Sequence, residues 1–142
     1  MSQTVVFSAL LLVVLAASGE GKPAAQKVQT EMPNVMAGKK TYREYCAACH
    51  GDDGRGMGPA ASALKTPPSD LTALAKSHGG KLPEDYVAEI VRFGKPIQAH
   101  GSSDMPVWGP IFNVRDKFNE VAVRRRIKNL CDYLATLQEK ES

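Results

Sequence analysis

Cys46-Ala47-Ala48-Cys49-His50 sets two thiols and an imidazole within five positions. Two thiols at this spacing can add to the two vinyl groups of one haem, and the residue that follows then turns its imidazole toward the iron. The product is a haem c held through Cys46 and Cys49, with His50 as a built-in iron ligand. Two other chemistries use such a thiol pair. A thioredoxin-like dithiol sits beside a βαβ pattern, and a zinc site needs a second pair of ligands at similar spacing; the sequence offers neither.

Iron held by His50 has a sixth position, and its occupant decides the function. A Met thioether raises the reduction potential, whereas an open site permits ligand chemistry. The candidates are Met57, His78, His100 and Met105. Met57 follows His50 too soon to reach the other face of a macrocycle without crossing its edge. His78, beside Gly79-Gly80, reads as a solvated loop residue. Met105 is followed by Pro106, which fixes an extended chain, and by Trp108, a large ring able to pack near a haem. The residues favour Met105. His100 and an open site are the alternatives, and simple core packing is the ordinary role of a lone Met.

The elements that must position these groups are helical. Asn34 can cap a helix in which Gly38, Tyr42 and Cys46 share one face. Residues 51–69 are rich in Gly and Pro without any period, which in a compact domain makes sense only if the stretch wraps something. Asp70 caps a short helix over 71–77 that ends at Gly79-Gly80. Pro83, Glu84 and Asp85 open the next helix and Gly94 stops it, with Tyr86, Val87, Ile90, Val91 and Phe93 as its apolar set. A second loop is expected from Lys95 to about Asp116. The last helix, roughly Asn119 to Leu137, aligns Val123, Ile127, Leu130, Leu134 and Leu137 on one stripe. No alternating strands and no repeats occur, so the fold is all-α with two long loops, each covering one face of a flat apolar cofactor.

The chain has 142 residues with 18 basic and 15 acidic side chains, a formal net charge of +3. One domain suits this length, and the balance is too mild for a nucleic-acid binder, which carries a denser basic stripe. Every charged side chain lies beyond residue 19. The apolar run Val5–Ala17 is shorter than the about 20 residues that cross a bilayer, and small residues follow at Ala16 to Gly19, so 1–19 reads as a signal peptide. Ser2, Gln3 and Thr4 supply no positive start, which leaves an uncleaved anchor as the alternative. Ser18 stands where a lipoprotein would carry its lipid-bearing Cys, so lipid anchoring is not expected. Residues 20–33 read as a flexible tether and 34–142 as the folded domain, exported to the periplasm.

From about Val35 to Gln138 the sequence resembles the small class I monohaem c-type cytochromes of bacteria. The resemblance rests on Gly38-Lys39-Lys40-Thr41-Tyr42, Tyr45 through Gly51, Gly58-Pro59 and Pro68-Ser69-Asp70-Leu71-Thr72. It continues through Val91-Arg92-Phe93-Gly94, Met105-Pro106-Val107-Trp108-Gly109 and Ile127 to Leu134, all in the family's order. It implies a cytochrome c fold of about four or five short helices around one covalent haem. It also implies His50 and Met105 as axial ligands, and a crossing of the first and last helices near Gly38 against Tyr133 or Leu134. The Pro59 carbonyl is implied to accept a hydrogen bond from the His50 imidazole, and Trp108 matches the family's position after the ligand Met. Cys131 is not required by the family pattern. It reads as a small buried hydrophobe, with a reactive thiol or intermolecular disulfide as the alternative.

A six-coordinate iron passes single electrons. The expected function is therefore electron transfer between periplasmic or membrane redox partners. The alternatives are a subunit of a larger oxidoreductase and a haem enzyme or gas sensor with an open sixth site. Lys39, Lys40, Arg43 and Arg55, with Arg124-Arg125-Arg126 and Lys128, could form a positive rim that steers an acidic partner; the competing reading is of solvated helix faces. Contact with a membrane is expected only through an uncleaved N-terminus or a membrane complex.

Overall fold

The computed structural model describes residues 24–94 and 105–139, with side chains from residue 34 onward. Among the described residues six α-helices follow one another: α1 (Ala24–Tyr45), α2 (Ala47–His50), α3 (Leu74–Ser77), α4 (Glu84–Phe93), α5 (Trp108–Arg115) and α6 (Glu120–Leu137). Short 3₁₀ turns occur at Ala61–Ala63 and Leu71–Ala73, and no strand occurs among the described residues. The expected signal peptide, His100 and most of the loop before Met105 lie outside the described residues.

α1 and α6 make the principal helix pair. They cross at Gly38, where a Cβ would lie 1.8 Å from the Asn129 carbonyl oxygen and 3.0 Å from Tyr133 Cβ. The crossing expected near Gly38 is present, set against Asn129 and Tyr133 rather than Leu134. Around it lies the core: Tyr42, Phe112, Val123, Ile127, Leu130, Cys131 and Leu134 are all buried. The Tyr42 ring meets that of Tyr133 at 5.2 Å, and its hydroxyl donates to the Gly51 carbonyl at 2.6 Å. Desolvation in this core, aided by nearby Cys46, pushes the Tyr42 phenol well above its usual range.

The cap expected at Asp70 and the stop expected at Gly94 are in place, and Asn119 adds a cap the sequence reading did not name. Asn119 Oδ1 accepts from the Ala122 amide at 3.1 Å at the start of α6. Asp70 Oδ1 accepts from the Thr72 amide at 2.8 Å and from its hydroxyl at 2.6 Å. Gly94 closes α4 in the left-handed region, where its amide donates to the Ile90 carbonyl at 2.9 Å. Phe93 is exposed, so the apolar face of α4 is Val87, Ile90 and Val91.

Two expectations need correction. The segment 20–33 was expected to be an unfolded tether and Asn34 a cap, but α1 already begins at Ala24. Ala24, Ala25, Gln26 and Lys27 are strong helix formers, and hydrophobic periodicity detects only the part of a helix that packs. The second loop was expected to run to about Asp116, but α5 occupies Trp108–Arg115. Gly109 and Pro110 look like breakers in the sequence. They fall in the first turn of α5, where a missing N–H costs nothing and where the absent Gly109 side chain lets the Arg92 carbonyl come within 2.2 Å of the Cβ position.

α5 is tied down from both neighbours. Trp108 and Phe112 each meet Tyr45 at a ring separation of 5.1 Å. Arg126 of α6 grips Asp116, just past α5, through two bonds of 2.9 and 2.5 Å, and its guanidinium lies 5.6 Å from the centre of the Phe112 ring.

Candidate functional site

The thiols and imidazole project from a single braced turn. The Cys46 amide donates to the Tyr42 carbonyl at 2.8 Å, so the last turn of α1 runs into the first of α2. The carbonyls at the C-terminal end of α2 would otherwise be orphaned. The glycine-rich loop satisfies them: Ala60 donates to Ala48 at 2.8 Å, Gly58 to Cys49 at 3.0 Å and Gly56 to His50 at 2.8 Å. This approach requires glycine at position 58, where a Cβ would lie 2.4 Å from the Ala48 oxygen.

His50 is buried, and its Nδ1 bonds the Ser69 carbonyl at 3.0 Å. A carbonyl can only accept, so the proton sits on Nδ1 and Nε2 is the basic ring nitrogen, the form in which imidazole binds a metal. The acceptor expected from the resemblance was the Pro59 carbonyl. In this structure Ser69 fills that role, because the amides flanking Pro59 are drawn onto α2 while Pro67, Pro68 and Ser69 border the cavity beside the ring. Pro59 itself is exposed.

Two adjoining cavities, of about 40 and about 230 Å³, meet at this turn. The smaller is walled by apolar side chains including Leu71, Val87, Ile90 and Leu134. The larger runs between Pro67-Pro68 and Pro106-Trp108. Cys46, His50 and Met105 border both, and Cys49 and Trp108 border the larger. The structure thus brings Cys46, Cys49, His50, Met105 and Trp108 to one cleft, from two separate stretches of chain.

Other candidates fall away from the cleft. Met57 is 82% exposed. The exposed His78 Nδ1 lies 2.9 Å from the Leu74 carbonyl, with its ring against Tyr86. Cys131 is buried, its thiol pushed up to about 12 chiefly by desolvation, which matches the small hydrophobe expected rather than an accessible thiol. Burial, reinforced by neighbouring Cys49, also pushes the Cys46 thiol up to about 12. Redox-active dithiols lower that value, so the direction argues against thioredoxin-like chemistry. Among the described residues, no group of three or more His, Cys, Asp or Glu side chains gathers as a zinc site would require.

Sequence reasoning missed Ser69, whose contribution is a main-chain carbonyl; the adjacent Pro67-Pro68 pair, which stiffens the approach, was its only signal. On the last helix the basic run has acidic neighbours of its own. Arg126 is bound to Asp116, Lys128 to Asp132 and Glu84, and Arg124 to Glu120, so these cations largely answer acids of the same molecule.

The residues present fit a covalent haem c. Two thiols stand on one turn, an imidazole of settled tautomer lies beside them, a thioether borders the same space, and the walls are apolar. A protein-family model described as "Cytochrome C oxidase, cbb3-type, subunit III" matches residues 33–119. Searches of curated proteins and of solved structures found no match.

Proposed function

The chain belongs to the cytochrome c oxidase, cbb3-type, subunit III family and is a c-type cytochrome, and from that premise we propose single-electron transfer through a closed His50–Met105 iron site. When bound, haem c supplies a one-electron couple at its iron. The chain's residues do the rest. Cys46 and Cys49 fix the ring covalently, and His50 binds through Nε2 while the Ser69 carbonyl orients it. Met105 would supply the second iron ligand, a thioether that raises the potential and keeps small ligands out. Pro59 holds the glycine loop that braces the thiol turn, and Trp108 covers the ring beside Met105.

The observation that carries this reading is the convergence of Cys46, His50 and Met105 on one apolar cleft. Residues 1–19 direct export, which places the haem domain in the periplasm, and no helix among the described residues is long and apolar enough to cross a membrane. The family description favours a second form of the same function, in which the domain works docked in an oxidase complex. Co-purification separates the two: a free carrier leaves the cells alone, whereas a subunit travels with the complex.

Ligation is tested on haem-loaded protein. The wild type is expected to show the weak far-red ferric band of sulfur ligation and no carbon monoxide binding. Met105→Ala should keep its haem, lose that band, lower the potential and admit carbon monoxide. An unchanged spectrum in Met105→Ala would remove Met105 from the site.

A further inference from the structure

Beside the α1–α6 crossing lies a third hollow, a polar groove of about 290 Å³. α1 borders it with Lys40, Thr41 and Glu44, and α6 with Arg125, Arg126 and Asn129. The two triplets share one spacing, a step of one residue and then of three, which keeps each on a single helical face. Arg115 and Asp116, where α5 ends, border the groove as well.

Four cations therefore meet two carboxylates in this hollow. Both carboxylates are already answered: Arg115 lies 2.7 Å from Glu44, and Arg126 holds Asp116 at 2.5 Å. Lys40 and Arg125 are left over. Both are exposed, one on each helix, and among the described residues no ion pair reaches either. The rest of the basic run differs, since Arg124 is bound to Glu120, and Lys128 to Asp132 and Glu84. A surplus of two positive charges thus sits in a concave surface, which focuses its field. Like charges gathered in one hollow repel until an anion enters.

The position of the groove selects its occupant. Glu44 borders both the groove and the larger cavity of the cleft, which Cys49 and Trp108 also border. A molecule seated between Lys40 and Arg125 is therefore next to the side of the cleft at which Cys49 would hold the haem. A protein that passes electrons must bring its partner to such an edge, and complementary charge speeds that encounter. Two carboxylates balance the surplus. Glu44, an acid at the boundary, repels them from the cleft side and so fixes their register.

We propose that this groove, with Lys40 on one wall and Arg125 on the other, is the docking site for an acidic segment of the redox partner protein, which places two carboxylates there. The proposal rests on the electron-transfer reading above and does not depend on the identity of the sixth ligand.

The test is voltammetry of the full haem-loaded protein on gold bearing a carboxylate-terminated monolayer, which stands in for the acidic segment, with a hydroxyl-terminated monolayer as the neutral surface. Wild type should adsorb on the carboxylate surface at low salt, give a one-electron wave there and be released as salt is raised. Lys40→Gln with Arg125→Gln should weaken adsorption roughly fivefold or more, with the haem spectrum unchanged. Lys76→Gln with Lys81→Gln removes the same charge from exposed positions that border none of the three hollows, and should cost roughly twofold or less. Equal losses in the two double variants, or no loss in either, overturn the proposal, because the attraction would then belong to net charge or to another face. So does a wild type stabilised against heat by inorganic phosphate but not by poly-glutamate at equal ionic strength, since the occupant would then be a small anion. A wild type with no one-electron wave on either surface removes the electron-transfer reading, and the proposal with it.

Discussion

The α1–α6 pair and the cleft beside it solve the folding problem in different ways. Where Gly38 meets Asn129 and Tyr133, backbone lies on backbone with no room for a methyl, and Tyr42 is fully buried with its hydroxyl bonded. That region is complete from the chain's own atoms. The cleft is not: Leu71, Val87, Ile90 and Leu134 line space, and Met105 and Trp108 reach it from a segment that packs only partly against the core. Half of the molecule is a finished core, and the other half is a mould whose apolar walls need something to touch. Interiors are normally packed like organic crystals, and the apolar walls of the cleft are where the covalent haem of this family would supply the missing contacts.

The severest way to break the comparison is to remove the group that fills the mould. Changing Cys46 and Cys49 together to Ala should give a colourless, largely unfolded chain, a loss on the scale of a small domain's whole stability, about 5 kcal/mol or more. The reason is that α1 and α6 form a two-helix contact, and helices of this size are marginal without further packing. Far-ultraviolet circular dichroism decides it. Native helix content in the colourless variant would mean that the α1–α6 frame stands alone.

The frame can be broken independently. Gly38→Ala would put a Cβ 1.8 Å from the Asn129 oxygen, and main chain cannot step aside as a flexible side chain can. The helices must separate, at a cost of about 3 kcal/mol or more. In thermal melts of the haem-loaded protein, this variant should unfold well below wild type while its ferric spectrum stays the same. A shifted spectrum at unchanged stability would show that Gly38 serves the cleft rather than the crossing.

What the sequence made legible follows from how local each cause is. Cys46 to His50 could be read because the chemistry needs three scarce residue types in adjacent positions. α4 could be read because Pro83, Glu84, Asp85 and Gly94 act on backbone groups a few residues away, and α6 because Val123, Ile127, Leu130 and Leu134 repeat on one face. α5 was hidden, since Pro110 signals a break until one knows that Val107 ends the preceding loop and Pro110 falls in a first turn. The Ser69 carbonyl was hidden because every residue has one, and only the fold brings this one to His50. The long-range ion pairs were hidden for a similar reason: Lys128 and Glu84 meet across 44 positions of chain, a distance that no periodicity spans.

The smallest expected effect sharpens the boundary between the two regions, because α5 carries Trp108 to the cleft but is fastened to the frame through Asp116 and Arg126. The Arg126 guanidinium holds the Asp116 carboxyl below the usual range. A carboxylate with a lowered folded value stabilises the protein fully above its unfolded pKa, about 3.9, and loses that contribution as pH falls through the folded value. Asp116→Asn should therefore cost about 1–3 kcal/mol between pH 5 and 7, the range for hydrogen bonds to charged groups. The difference from wild type should shrink once pH drops below about 4. Parallel melts across that range measure it, with the ferric spectrum as a second readout. If the penalty persists undiminished in acid, the Asp116 charge is not what fastens α5. If the spectrum changes along with it, α5 belongs to the cofactor's half of the molecule rather than to the frame.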